Sequence, residues 1–175
     1  MHSYEHRVGI PPVSLLFLLE CPKLQIVKLP IYTRRNDLID LVVAFRSLKA
    51  LRSLLFNVHL REELEFLEEQ TSVWNPIYRQ IGQLPKLQSL TIIYFTIEKG
   101  KDSGIQQLVG ATSVKRLVLR GCEATKWTRE EIQDLVRALP KLENLHLKPL
   151  EKGLFSQIKS WLCEAGRSDI IFGDQ

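Results

Sequence analysis

Cysteine is scarce in this chain, aromatics are sparse and long apolar runs are missing. Cys21, Cys122 and Cys163 are the three cysteines, an odd number without any C-x-x-C spacing. That pattern excludes a disulfide framework and a cysteine-based metal site, and it fits a reducing setting, cytoplasmic or nuclear. No run comes near the roughly 18 apolar residues of a membrane span, so no membrane partner is expected. The apolar stretch Val13–Leu19 contains Ser14, stops at Glu20 and is followed by no small-x-small cleavage site. It reads as a short helix rather than a secretory leader. Catalytic signatures are lacking as well: there is no G-x-S-x-G, H-E-x-x-H or paired-carboxylate arrangement. Gly100-Lys101-Asp102-Ser103-Gly104 lacks the earlier glycine of a phosphate loop and has Asp where Ser or Thr should follow Lys. His59 and His146 are too far apart in sequence to suggest a dyad. No enzyme, metal or cofactor is expected.

The remaining composition is that of an ordinary soluble domain, 45% hydrophobic and 25% charged, and 175 residues suffice for one continuous core. A net charge of +4 is mildly basic, compatible with an acidic partner but well short of a polybasic chain.

Against this background one phrase recurs, L-x-x-L-x-L. Its copies are Leu24, Val27, Leu29; Leu51, Leu54, Phe56; Leu87, Leu90, Ile92; Val114, Leu117, Leu119; and Leu142, Leu145, Leu147. A degenerate sixth copy runs from Arg167 through Ile170 to Phe172, and the starts are 27, 36, 27, 28 and 25 residues apart. Cys21-Pro22-Lys23-Leu24, Leu84-Pro85-Lys86-Leu87 and Leu139-Pro140-Lys141-Leu142 even repeat the words before it. A period of this length is the mark of a solenoid, which presents a surface rather than a pocket.

These residues resemble a leucine-rich repeat protein over about residues 13 to 173. The resemblance implies an α/β fold, a curved solenoid of about six repeats with parallel strands on the concave face and helices on the convex face, similar to the ribonuclease-inhibitor-like branch. Leu18-Leu19-Glu20-Cys21-Pro22-Lys23-Leu24 and Leu139 to Leu147 are also similar to the repeats of F-box leucine-rich repeat proteins, especially fungal ones. In that group the repeats select a substrate for a ubiquitin ligase. Only about twelve residues precede the repeats, too few for an F-box.

The organisation expected is a loose segment at 1–12, polar and containing Pro11-Pro12, followed by a single domain at 13–175 with an insertion at about 60–75. The strands fall near 24–29, 51–56, 87–93, 114–119, 142–147 and 169–172. Leu38, Leu41, Val42 and Phe45 lie at i, i+3, i+4, i+7, one face of a helix capped by Asn36. The insertion carries five acids between Glu62 and Glu69, and Asn75-Pro76 reads as the start of the helix that follows it. Ser103 with Gln106 and Thr128 with Glu131 match the reciprocal capping pattern, and Gly166 suits a left-handed helix end. The apolar opening at Leu15–Leu19 looks like half a repeat. It suggests a fragment of a longer protein or an uncapped edge open to self-association.

Side chains alternate along a strand, so the residues between the phrase leucines define the concave face. Its middle column is Lys28, Leu55, Thr91, Val118, His146 and Ile171, and the later rows gather Arg116, Arg120, His146 and Lys148. An apolar stripe beside a basic cluster suits an acidic peptide or protein. The candidate contact residues are Leu55, Ile93, Arg116, Val118, Arg120, His146 and Lys148. The function expected is non-enzymatic protein binding, of the F-box substrate-recognition kind. The alternatives are nucleic-acid binding by the same cations, which the shortage of interleaved aromatics disfavours, and a truncated repeat remnant without a partner.

Overall fold

Every repeat enters its strand through the same turn. The N–H of Leu24 donates to the carbonyl of Cys21 at 3.1 Å, Leu51 to Leu48 at 3.1 Å, and Leu87 to Leu84 at 3.4 Å. Val114 donates to Ala111 at 3.0 Å, Leu142 to Leu139 at 3.0 Å and Ile170 to Arg167 at 3.2 Å. The apolar residues that open and close these turns face the core, whereas the two between them face outward. Pro22, Pro85 and Pro140 take the second position, where a fixed φ near −65° suits a turn. The repeated Pro-Lys-Leu word is therefore a corner.

The computed structural model describes residues 3–5, 18, 20–32, 35–59, 67–95, 108–121, 127–148, 150 and 153–173. The strands are β1 Ser3–Glu5, β2 Ile26–Tyr32, β3 Ser53–His59, β4 Ser89–Phe95, β5 Arg116–Gly121, β6 Asn144–Lys148 and β7 Ile171–Gly173. They form one seven-stranded sheet in sequential order, with every neighbour parallel. Parallel neighbours need crossovers. Among the described residues these contain α1 Arg35–Ser47, α2 Leu67–Gly82, a 3-10 turn at Leu108–Gly110, α3 Arg129–Ala138 and α4 Leu154–Glu164. Each helical element contacts the next along the chain.

One set of alternate strand residues builds the core with the helices. Val27, Leu29, Leu54, Phe56, Leu90, Ile92, Leu117, Leu119, Leu145 and Leu147 are buried in one cluster with Leu41, Phe45, Ile77, Ile81, Ile132, Leu135, Val136, Ile158 and Leu162. The helices thus cover one face of the sheet and leave the other face open. The fold is α/β with an all-parallel sheet, an arrangement compatible with a solenoid.

Several local expectations hold. Thr128 N–H donates to Glu131 Oε2 at 2.8 Å and Glu131 N–H to Thr128 Oγ1 at 3.2 Å, the reciprocal cap of α3. Gly166 has φ 71°, and Arg167 N–H reaches back to the carbonyl of Leu162 at 2.8 Å. Cys21 and Cys163 are free thiols, while Cys122 lies outside the described residues.

Others need correction. The strands β2 to β6 start two residues later than expected, because the first phrase residue closes the turn, and β7 starts at 171 instead of 169. Within the segment expected to be loose, Ser3–Glu5 pairs with β2. Asn36 lies inside α1 rather than capping it, and α2 runs through Asn75-Pro76 instead of starting there. Proline has no N–H to give to the carbonyl four residues earlier, but Pro76 is exposed while Ile77, Tyr78 and Ile81 anchor the same helix in the core. The Ser103 cap and residues 60–66 of the acidic insertion lie outside the described residues.

The link from turn to strand is one residue shorter in the last repeat than in the others. In the fifth copy Leu142 closes its turn two residues before Asn144 begins the strand. In the sixth, Ile170 closes its turn directly before Ile171. Phe172 therefore pairs with Leu145 rather than Leu147. Arg167, not an apolar residue, opens this turn. Its guanidinium donates to the carbonyls of Leu142 at 2.6 Å, Val136 at 3.3 Å and Leu139 at 3.4 Å, and to Asp169 Oδ1 at 3.1 Å. The hydrogen bond from Arg167 holds the Asp169 carboxyl below its ordinary range. The Arg167 side chain is only 19% exposed. Arg167→Leu should cost about 2 kcal/mol, because bonds from a charged donor carry roughly 1.5–3 kcal/mol and the orphaned carbonyls gain no new donor. Equilibrium urea unfolding checks this.

Candidate functional site

The open face of the sheet is built by the strand residues that point away from the helices. In-register pairing sorts them into three columns. Ile26, Ser53, Ser89, Arg116, Asn144 and Ile171 form the first, and Lys28, Leu55, Thr91, Val118, His146 and Gly173 the second. Pro30, Asn57, Ile93, Arg120 and Lys148 form the third. Neighbours within a column are one strand spacing apart, about 4.8 Å, and neighbours along a strand about 6.6 Å apart.

Arg116 and Arg120 are exposed and flank Val118 on β5. Neither guanidinium forms a hydrogen bond or an ion pair with another described residue. Three exposed cations elsewhere are matched: Lys115 with Glu143 at 2.6 Å, Arg137 with Asp134 at 2.9 Å, and Arg129 with Glu164 at 2.5 Å. Lys148 stands beside Arg120, and Ile93 borders Arg120 on the other side. From β2 to β6 the open-face positions hold no Asp or Glu. Four cations, Lys28, Arg116, Arg120 and Lys148, therefore share this face with half-buried Ile26, Leu55 and Ile93.

Two expected contact residues are less accessible than alternation suggests. Val118 is 4% exposed and His146 is 7% exposed. Val118 lies between Thr91 and His146 across the sheet and between Arg116 and Arg120 along its strand. His146 Nδ1 lies 3.1 Å from the carbonyl oxygen of Gly173. A carbonyl only accepts, so Nδ1 carries the hydrogen in this contact. The imidazole also occupies the space where a side chain at position 173 would stand, 2.9 Å from an ideal Cβ. His146 thus packs the terminal strand rather than presenting itself to a partner. Ile171 leaves the middle column for the first, opposite Asn144, and is 64% exposed there. Leu55 is two strands from Val118, outside the arginine cluster.

Sequence reasoning passed over Asn57, beside Ile93 in the third column. Its side-chain oxygen is buried without a hydrogen-bond partner. Its row was legible, but nothing in the sequence marks an unmatched acceptor. At the other end of the molecule, Lys159, Leu162, Ser168, Ile170, Ile171 and Phe172 line an open groove of about 370 Å³. Its lining combines one cation and one hydroxyl with apolar side chains. No group of three or more His, Cys, Asp or Glu side chains among the described residues is placed to hold a metal ion. No helix among the described residues is long and apolar enough to cross a membrane.

No protein-family model matches this sequence, and no curated protein matches it.

Proposed function

We propose that this chain is a non-enzymatic leucine-rich repeat module that binds an acidic protein partner on the open, concave face of its sheet. The observation that carries the reading is the charge of that face. Arg116 and Arg120 stand about 13 Å apart along β5 without a matching acid, and the open-face positions from β2 to β6 hold no Asp or Glu. A carboxylate arriving there gains two cations and displaces no existing ion pair. Half-buried Leu55 and Ile93 add apolar contact. Buried Val118 forms the floor between the arginines. The resemblance to F-box repeats supports a substrate-recognition role of that kind.

The test is partner capture at physiological salt with wild type beside the Arg116→Glu, Arg120→Glu variant. Both positions are exposed, so circular dichroism and the unfolding midpoint should stay close to wild type. The partner's affinity should fall roughly tenfold or more, since reversing charges that face a complementary surface turns attraction into repulsion. Equal retention by both proteins would sink the proposal. Binding to single-stranded DNA that weakens steeply with salt would favour the nucleic-acid alternative.

A further inference from the structure

The turns that open the strands form a second surface, along the edge at which the strands begin. Five of them, at 21–24, 48–51, 84–87, 111–114 and 139–142, are closed by the same backbone hydrogen bond and lead into strands paired in register. Equivalent positions are therefore stacked one strand spacing apart along a single edge. The carbonyls of Gln25, Arg52, Gln88 and Lys115 each accept two N–H groups from the next repeat. This fixes the residue after each turn as firmly as a residue within the sheet.

This edge is strongly cationic. Lys23, Lys49, Arg52, Lys86, Lys115 and Lys141 lie on it, and all six are exposed. Lys115 is matched by Glu143, the one acid within these turns and the residues that follow them. The other five make no ion pair with a described residue. The residues that alternate with the cations are Pro22, Pro85, Pro140, Ala50, Thr112 and Ser113. They are small or rigid and include no aromatic.

We infer that this edge binds an extended acidic segment of a protein partner, a run of Asp and Glu lying across the turns. The inference rests on the partner being an acidic protein, as proposed above, and it assigns a separate part of that partner to a separate surface. Five stacked turns span four strand spacings, about 19 Å, which an extended peptide covers with roughly six residues. Such a peptide directs a side chain to the same side about every 6.8 Å, so it meets a fresh cation at nearly every step along the row. Nucleic acid fits less well. Single strands gain much of their affinity by stacking bases on aromatics, and these turns offer none. Five of the six cations are lysines, which act as point charges and lack the fork by which arginine grips a phosphate.

The experiment uses fluorescence anisotropy with two labelled probes, a peptide of about eight alternating Asp and Glu residues and a mixed-sequence single-stranded DNA of comparable charge, at about 0.15 M salt. Three proteins are compared: wild type, the edge variant Lys23→Gln, Lys86→Gln, Lys141→Gln, and the face variant Arg116→Glu, Arg120→Glu. Gln keeps most of the lysine's size and suits an exposed turn. The edge variant should lose roughly tenfold or more of the peptide affinity, and the face variant should stay within about threefold of wild type. Four results would overturn the inference: no peptide binding by wild type, unchanged binding by the edge variant, tighter binding of the DNA than of the peptide, or a loss confined to the face variant. The last would leave the open-face proposal standing while removing the edge. Capture of the natural partner by the face variant would remove the open-face reading and leave the edge untouched.

Discussion

Leu117→Ala should lower the unfolding free energy by about 2–5 kcal/mol, the range for removing a fully buried leucine. Leu117 has no exposed surface and stands in the middle of the inward row, between Leu90 on β4 and Leu145 on β6. A cavity there faces helices on one side and two strands on the other, none of which can collapse without disturbing the in-register ladder. For a chain of this size, each kcal/mol corresponds to roughly 2–4 °C in melting temperature. Calorimetry and urea titration would both read the loss. A fall of well under 1 kcal/mol would mean that the parallel sheet does not bury this row.

Gly110→Val should be nearly as damaging, for the opposite reason. A Cβ at position 110 would lie 2.8 Å from the carbonyl oxygen of Gly82 and 3.1 Å from its carbon. These are backbone atoms at the last residue of α2, so no side chain can swing aside. Overpacking of this kind costs roughly 1–3 kcal/mol, and a branched residue against an immobile backbone belongs at the upper end. Two glycines, one ending α2 and one ending the 3-10 turn, allow neighbouring crossovers to approach this closely. A wild-type unfolding midpoint for Gly110→Val would show that the crossovers stand further apart.

The order of the strands and the inward row were legible because both follow from a period. The L-x-x-L-x-L spacing repeats, and side chains alternate. The cap at Thr128 and the left-handed Gly166 were legible because each depends on residues adjacent in sequence. What escaped depends on the neighbours across the sheet. Alternation gives the direction of Val118 and His146 but not their burial, which for His146 comes with its contact to Gly173. The shortened turn-to-strand link of the sixth repeat escaped because Arg167 imitates a first position by spacing alone, whereas its backbone hydrogen bond with Ile170 places it at the opening of the turn. At Asn75-Pro76 a local start signal was overridden by a helix already held through Ile77 and Ile81. The candidate contact residues were partly legible. Arg116, Arg120, Lys148, Leu55 and Ile93 occupy the face that counting assigned to them, and the packing of His146 against β7 was not foreseeable.

Middle-column residues on successive strands are 27, 36, 27, 28 and 27 positions apart in the chain, yet each pairs with the next in register. The sheet works as a ruler that is indifferent to how much chain returns between marks. Between β3 and β4 the helix α2, on the side away from the open face, has 16 residues against 13 in α1. Sequence can thus be lengthened or rewritten in a crossover without moving a charge on the open face. Such a molecule can vary one side freely while the other keeps its pattern, and a graft between β3 and β4 should leave the arginine cluster where it is.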